Sequence, residues 1–371
     1  MGRCGLCGRE SVTVSDVIGL CSECLRRAPQ LPESVVRAHR TARNVLGLSP
    51  TKAEAGEFRC GLCINNCYLS SDVLGYCGNY LYEGGLKHVL GSYDVSYGSW
   101  YYDVHPTNCV AFPVCPAVTG RGFPQYSLRP DGEAGYYNLA VFYATCSLNC
   151  LYCQNWRGRR ESLLFMHRMS VDELVKAALN SRVTCICYFG GDPTPNVIHA
   201  LKTSREVLKK VGGSRILRIC WETNGTLNPK IMEEVTKVSL ESGGIVKIDL
   251  KAWSPKIYHA LTGVDAVERV KENIKLVSTY MSLREEPPLL VVSILLVPGY
   301  VDLIEVRSIA EFLASLNTEI PVVLLAFRPD FMLTDLPTTS KAHMRESIRI
   351  MRDLGLRNVF VGNEWLLSDR Y

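Results

Sequence analysis

From Leu139 onward the chain alternates short apolar runs with longer stretches in which apolar residues recur every three or four positions. The runs occupy 139–144, 183–189, 215–221, 245–250, 289–297, 320–327 and 358–361. Their brevity and their β-branched and aromatic content predict strands. The stretches between them, 170–180, 196–211, 228–242, 255–280, 302–316 and 339–354, carry helical periodicity. Strand and helix in alternation predict a parallel sheet covered by helices. Right-handed crossovers curl such a sheet into a full or partial barrel. The fold class expected is α/β, a partial (β/α)6-type barrel over 139–371. Functional side chains then belong at the C-terminal ends of its strands.

Upstream the pattern breaks down. Residues 29–56 carry Pro29, Pro32 and Pro50 and read as a linker with one short helix near 33–46. The basic residues on it, Arg37, His39, Arg40 and Arg43, read as a solvated face. Residues 57–138 are rich in Tyr, Gly and Pro, which predicts short strands and turns with little helix. Its tyrosines read as packing residues with a hydrogen-bonding tip.

Composition narrows the classes. A chain of 371 residues has room for one large domain with one or two small ones. A formal net charge of +4 is too mild to imply nucleic acid, although it suits an anionic substrate. The N-terminus MGRCGLCGRE has no apolar stretch of the signal-peptide kind. The longest apolar run, Leu289 to Val297, falls far short of the roughly 20 residues that span a bilayer. A cytoplasmic setting is therefore expected, and the chain's metal-type cysteine clusters add that it is reducing and low in oxygen.

Sixteen cysteines change the picture, because eleven of them fall into three clusters with metal-ligand spacing. Cys4, Cys7, Cys21 and Cys24 form two C-xx-C knuckles in residues 1–28, a zinc-ribbon-like segment too short to fold without a staple. Zinc is the first choice there and a single rubredoxin-like iron the second. Cys60, Cys63, Cys67 and Cys77 suit a second four-thiolate centre, either an auxiliary iron–sulfur cluster or a structural zinc. Cys146, Cys150 and Cys153 stand at C-xxx-C-xx-C spacing directly after the first predicted strand. Three thiolates can hold three irons of a four-iron cluster, which leaves the fourth iron open to a small molecule. A closed zinc site would need a fourth ligand close by. Cys109 and Cys115 stand alone, as ligands by tertiary contact or as buried free thiols.

Polar groups follow the apolar strands in register. Gly190-Gly191-Asp192 follows the second, Glu222-Thr223 the third and Asp249-Leu250-Lys251 the fourth. Val297-Pro298-Gly299-Tyr300 and Arg328-Pro329-Asp330 follow the fifth and sixth. One such placement is a loop; five together make a site.

With these residues in place, the barrel resembles the radical S-adenosylmethionine (SAM) domain of pyruvate formate-lyase activating enzymes. More closely still, Cys60 to Glu364 resembles the radical SAM component of the AmmeMemoRadiSam group. The resemblance is carried by Cys60 to Cys77, "CQNW" at Cys153 to Trp156, Asp249-Leu-Lys251, Val297 to Tyr300, "FRPDFM" from Phe327 and "VFVGNE" from Val359. It covers about four-fifths of the chain and leaves out residues 1–56. It implies a [4Fe-4S] cluster on Cys146, Cys150 and Cys153 that binds SAM and cleaves it to a 5′-deoxyadenosyl radical. It also implies Tyr152 against the adenine and Gly190, Gly191 and Asp192 at the methionine amino group, although Asp192 is one methylene shorter than the usual Glu. Lys251 would meet the SAM carboxylate, with Asn155 and Arg328 as further candidates; Arg328 stands where the family has His. Glu222, Thr223 and Asp249 would form a monovalent-cation site. The implied partners are an electron donor (ferredoxin or flavodoxin) and a substrate. Protein modification of the glycyl-radical type is the preferred reading. Alternatives are a small molecule or lipid, RNA gripped by the N-terminal ribbon and Arg37 to Arg43, and a non-catalytic electron carrier.

Overall fold

The computed structural model describes residues 1–89, 92–107, 109–160 and 167–371. Its main sheet has nine strands: β1 (Val95–Val104), β2 (Tyr137–Tyr143), β3 (His167–Ser170), β4 (Val183–Gly190), β5 (Arg218–Thr223), β6 (Val246–Asp249), β7 (Leu290–Leu296), β8 (Val322–Ala326) and β9 (Val359–Gly362). Their order is β9-β8-β7-β6-β5-β4-β2-β1-β3. The seven predicted strands are all present and parallel. They read clearly because a parallel sheet is buried on both faces and its strands are almost wholly apolar. Side chains from β5, β6, β7 and β8 line one cavity, so the sheet is curved as a partial barrel.

Two features depart from the expected pattern. The sheet crosses the boundary drawn at 138/139, because β1 pairs antiparallel with β2 from Gly98↔Tyr143 to Val104↔Tyr137, and β3 pairs with β1. Stacked cross-strand pairs, Tyr101 on Phe142 and Tyr102 on Tyr137, hold that edge. The predicted helix 255–280 is two helices, Pro255–Thr262 and Val267–Thr279, because Gly263 ends the first in the left-handed conformation.

The segment that follows β1 closes the floor of the barrel. Ala111 and Val114 pack on Ile245, Val291 and Val323, at or next to the N-terminal ends of β6, β7 and β8. Glu133 and Arg218, both fully buried, lock this floor to the start of β5 through two bonds of 2.7 and 2.6 Å. Burial alone would raise the Glu133 pKa, but the Arg218 guanidinium overrides it and holds the carboxyl at about 2.

Both N-terminal segments are fastened to the barrel. Ser15 Oγ donates to Asp335, and Tyr300 Oη accepts from the Ser15 N–H and donates to Leu20 O. Gly299 has no room for a side chain here, since a Cβ would lie 2.1 Å from Thr13 O. Arg26 bridges Asp302 and Glu305. The helix Glu33–Val45 corrects the expectation of a solvated basic face. Arg37 and Arg40 are exposed, whereas His39 and Arg43 are buried. His39 Nε2 bonds Ala260 O at 3.0 Å, and burial lowers its pKa to about 4. Arg43 lies over the Tyr76 ring at 3.6 Å and donates to Tyr76 O. Two of the four cations proposed for gripping phosphates are therefore spent inside the protein. Among the described residues no helix is long and apolar enough to cross a membrane.

Candidate active site at the C-terminal ends of the barrel strands

The loop after β2 brings Cys146, Cys150 and Cys153 to the wall of a cavity of about 240 Å³, with Arg159 and Lys251 beside them. Backbone bonds fix its course: Asn149 N–H donates to Thr262 O, Leu151 N–H to Leu261 O, and Leu151 O accepts from Met332 and Leu333. Burial pushes the Cys146 thiol up to about 12 and Cys150 to about 11. Neither would ionise unaided, so both need a metal or a cation to act as ligands. The cation is present. Arg159, absent from the sequence-based candidates, is buried among the three cysteines, and its Nη2 has no hydrogen-bond partner. A buried guanidinium with an orphaned donor beside three thiols fits a negatively charged group held there, as a thiolate-ligated cluster is. Asn224 adds donors to Cys146 Sγ (3.7 Å) and Ser147 Oγ (2.9 Å).

Lys251 lines the cavity and bonds Asp249 Oδ2 at 3.0 Å, which leaves other ammonium protons for a ligand. Asn155 lines it too, donating to Gly190 O at 3.0 Å. Tyr152 is buried edge-on against Phe327 with an unpartnered hydroxyl. Gly190 and Gly191 are required by close approach: a Cβ on Gly190 would lie 2.7 Å from Phe142 Cα, and one on Gly191 2.4 Å from Thr145 O.

Three expected roles meet competing contacts within the protein. Asp192 already accepts from protein donors. Its carboxylate is buried and takes bonds from Thr223 Oγ1 (3.1 Å), Asn224 N–H (2.9 Å) and Thr194 N–H (2.9 Å), tying the β4 loop to the end of β5. The monovalent-cation site is not assembled from Glu222, Thr223 and Asp249. Thr223 faces Asp192, and the ammonium of Lys247 sits between the carboxylates, 2.7 Å from Asp249 and 3.3 Å from Glu222. Ser293 also bonds Asp249. After the burial penalty, Lys247 and then Lys251 dominate, and they hold Asp249 well below the usual carboxylate range. Arg328 does not reach the cavity. Its side chain is half exposed and pairs with Asp330 at 2.8 Å, while Asp330 also holds Trp156 Nε1 at 3.0 Å.

The remaining cysteine clusters differ in spacing. The ligand atoms of Cys4, Cys7, Cys21 and Cys24 all lie within 4.8 Å of one another, with Cys7 and Cys21 sulfurs 3.9 Å apart. A tetrahedral ion with metal–sulfur bonds of ~2.3 Å needs sulfurs about 3.8 Å apart, so this quartet fits one ion. Cys60, Cys63, Cys67 and Cys77 face a common cavity with Tyr80, Thr194 and Pro195, yet no three of them meet that spacing. The quartet can hold a cluster or a metal ion. It adjoins the β4 loop, where Tyr80 Oη and Asn79 Nδ2 both donate to Pro195 O.

Residues 140–313 match the family model of the Radical SAM superfamily. An uncharacterized protein of Methanocaldococcus jannaschii is 24% identical over 318 residues, 84% of this chain and 83% of that protein. A "Probable GTP 3′,8-cyclase" of Methanococcus vannielii is 30% identical over 130 residues, 35% of this chain and 41% of that protein. Of solved structures, a domain of pyruvate-formate lyase-activating enzyme from Bacteroides vulgatus overlaps 48% of this chain and 98% of its own at 23% identity. Its TM-score is 0.38.

Proposed function

From the premise of a radical SAM domain over residues 140–313, which makes the chain an enzyme of that class, we propose that it cleaves SAM reductively to abstract hydrogen from a substrate. The observation that carries this is the convergence of Cys146, Cys150, Cys153, Arg159 and Lys251 on one cavity at the C-terminal ends of the strands. When bound, a [4Fe-4S] cluster on the three thiols supplies the electron that breaks a carbon–sulfur bond of SAM, and its open iron supplies a chelation site. Lys251 offers a charge-assisted hydrogen bond to the SAM carboxylate. The Gly190–Gly191 backbone lets the methionine end approach closely, with Asn155 fixing Gly190 O. Arg159 balances the charge of the thiolate-bound cluster. The floor built from 109–133 shuts water out from below.

Cys60, Cys63, Cys67 and Cys77 are assigned to a second iron–sulfur cluster, and Cys4, Cys7, Cys21 and Cys24 to one zinc that staples the N-terminal segment. Electrons come from a ferredoxin or flavodoxin. The substrate is read as a protein segment, following the activating-enzyme resemblance of Asp249-Leu-Lys251. A second reading, a small molecule of nucleotide type, is favoured by the match to the relative named as a GTP cyclase. The test is anaerobic: reconstituted protein with dithionite and SAM releases 5′-deoxyadenosine, and the variant with Cys146, Cys150 and Cys153 all changed to Ala releases none. Undiminished release by that variant would overturn the proposal.

A further inference from the structure

We propose that Cys109, Cys187 and Glu222 form a further metal site inside the barrel, for one divalent thiophilic ion of the zinc class, under the SAM cavity. The three residues are far apart in sequence and come from three elements: the floor segment, β4 and β5. Even so, their two sulfurs and a carboxylate oxygen all lie within 4.8 Å of one another. Among the described residues only the Cys4 quartet shares that property. Zinc with bonds of ~2.3 Å to sulfur and ~2.0–2.2 Å to oxygen has ligand atoms under about 4 Å apart, so a small contraction completes the site.

The surroundings support an ion more than a chance meeting of thiols. Cys187 is buried and Cys109 half-buried, so neither is a surface thiol. Glu222 is held from two sides: Val110 N–H donates to Oε1 at 3.2 Å, and Lys247 meets Oε2 at 3.3 Å. Such outer contacts orient a ligating carboxylate and leave each oxygen a lone pair. The charges also close. Glu222 and Asp249 are balanced by Lys247 and Lys251. If Cys109 and Cys187 ionise, the charge they add equals that of a divalent ion. A disulfide between the two cysteines would leave the converging carboxylate unexplained. Cys185 and Cys220, from the same two strands, join no such group; Cys185 Sγ instead faces Asn138 and His105.

Three protein ligands leave a fourth position for water or a substrate group, the pattern of catalytic and not of structural zinc. Glu222 lines the SAM cavity, and the sulfurs of Cys109 and Cys187 lie within 4.8 Å of its carboxylate. The site would therefore anchor a thiol, amine or carboxylate of the substrate from below.

The experiment compares zinc and iron per chain in wild type and in Cys109→Ala/Cys187→Ala, both equilibrated anaerobically with excess zinc and then freed of loose metal. The expected result is a loss of one zinc equivalent with iron unchanged, and the difference holds whichever ion occupies the Cys4 quartet. Should the double variant lose iron, Cys109→Ala and Glu222→Gln are read singly, each expected to weaken zinc retention at least tenfold against a competing chelator. Equal zinc retention in the variants and wild type would overturn the proposal. So would an intact mass of the native chain two hydrogens short, restored by thiol reductant and absent from Cys109→Ala, since that marks a Cys109 disulfide.

Discussion

Replacing Lys247 by Met tests the charge arrangement on which the cavity is built. The Lys247 ammonium is almost wholly buried and is the only cation that the described residues place against Glu222; Asp249 keeps Lys251 at 3.0 Å. Met preserves most of the volume and removes the charge, so the cost is mainly electrostatic. Breaking a buried pair from one side costs about 3–5 kcal/mol, and the remaining Lys251 contact places this case near 3. The sign with pH follows from Asp249, whose carboxyl is held low in the folded state. Its contribution is present above the ordinary carboxylate range and is lost as pH falls through that range toward its lowered value. In the variant Asp249 takes up a proton more readily, so the deficit against wild type shrinks as pH drops from 7 toward 4, into the ordinary carboxylate range. The assay is anaerobic urea unfolding of reconstituted protein at both pH values. A deficit under about 1 kcal/mol, or one insensitive to pH, would refute the reasoning.

Glu133→Gln leaves Arg218 buried without its carboxylate and should cost about 3–5 kcal/mol in the same unfolding assay. In wild type, a Glu133 pKa of about 2 against an ordinary 4.5 corresponds to about 3 kcal/mol, complete above pH 4.5 and lost as pH falls through 2; a variant as stable as wild type at pH 7 contradicts this. Lys251→Met should weaken SAM binding by about 1.5–3 kcal/mol without loss of iron, measured by equilibrium dialysis; unchanged affinity would mean that the carboxylate is held elsewhere.

The sequence made the barrel legible because burial on both faces leaves long apolar strands between amphipathic helices. The three-cysteine loop was legible because metal ligands from one loop keep a fixed spacing. What stayed hidden came from inside those same patterns. Lys247 lies within the apolar run Ile245 to Leu250, and Cys187 and Cys220 read as ordinary apolar strand residues. Arg159 is one of three arginines in the short run Arg157-Gly158-Arg159-Arg160, and nothing local shows that it turns inward. Asp192 and Arg328 each stand after a strand where a ligand-binding group is expected, and what the sequence does not display is their protein partners, the backbone N–H groups of Thr194 and Asn224 and the carboxylate of Asp330. The Cys109–Cys187–Glu222 convergence depends on the floor segment folding back into the barrel, a long-range event that no spacing records.

The most direct measurement of the central claim is the electron paramagnetic resonance spectrum of the dithionite-reduced protein, recorded with and without SAM. It is taken on wild type, on the Cys146, Cys150 and Cys153 triple alanine variant, and on a variant lacking Cys60 and Cys63. SAM binding at an open iron of the loop cluster predicts that SAM shifts one reduced-cluster signal in wild type. The shift should survive the loss of Cys60 and Cys63 and vanish in the triple variant. A SAM-dependent shift that persists without Cys146, Cys150 and Cys153, or that disappears only when Cys60 and Cys63 are removed, would contradict it.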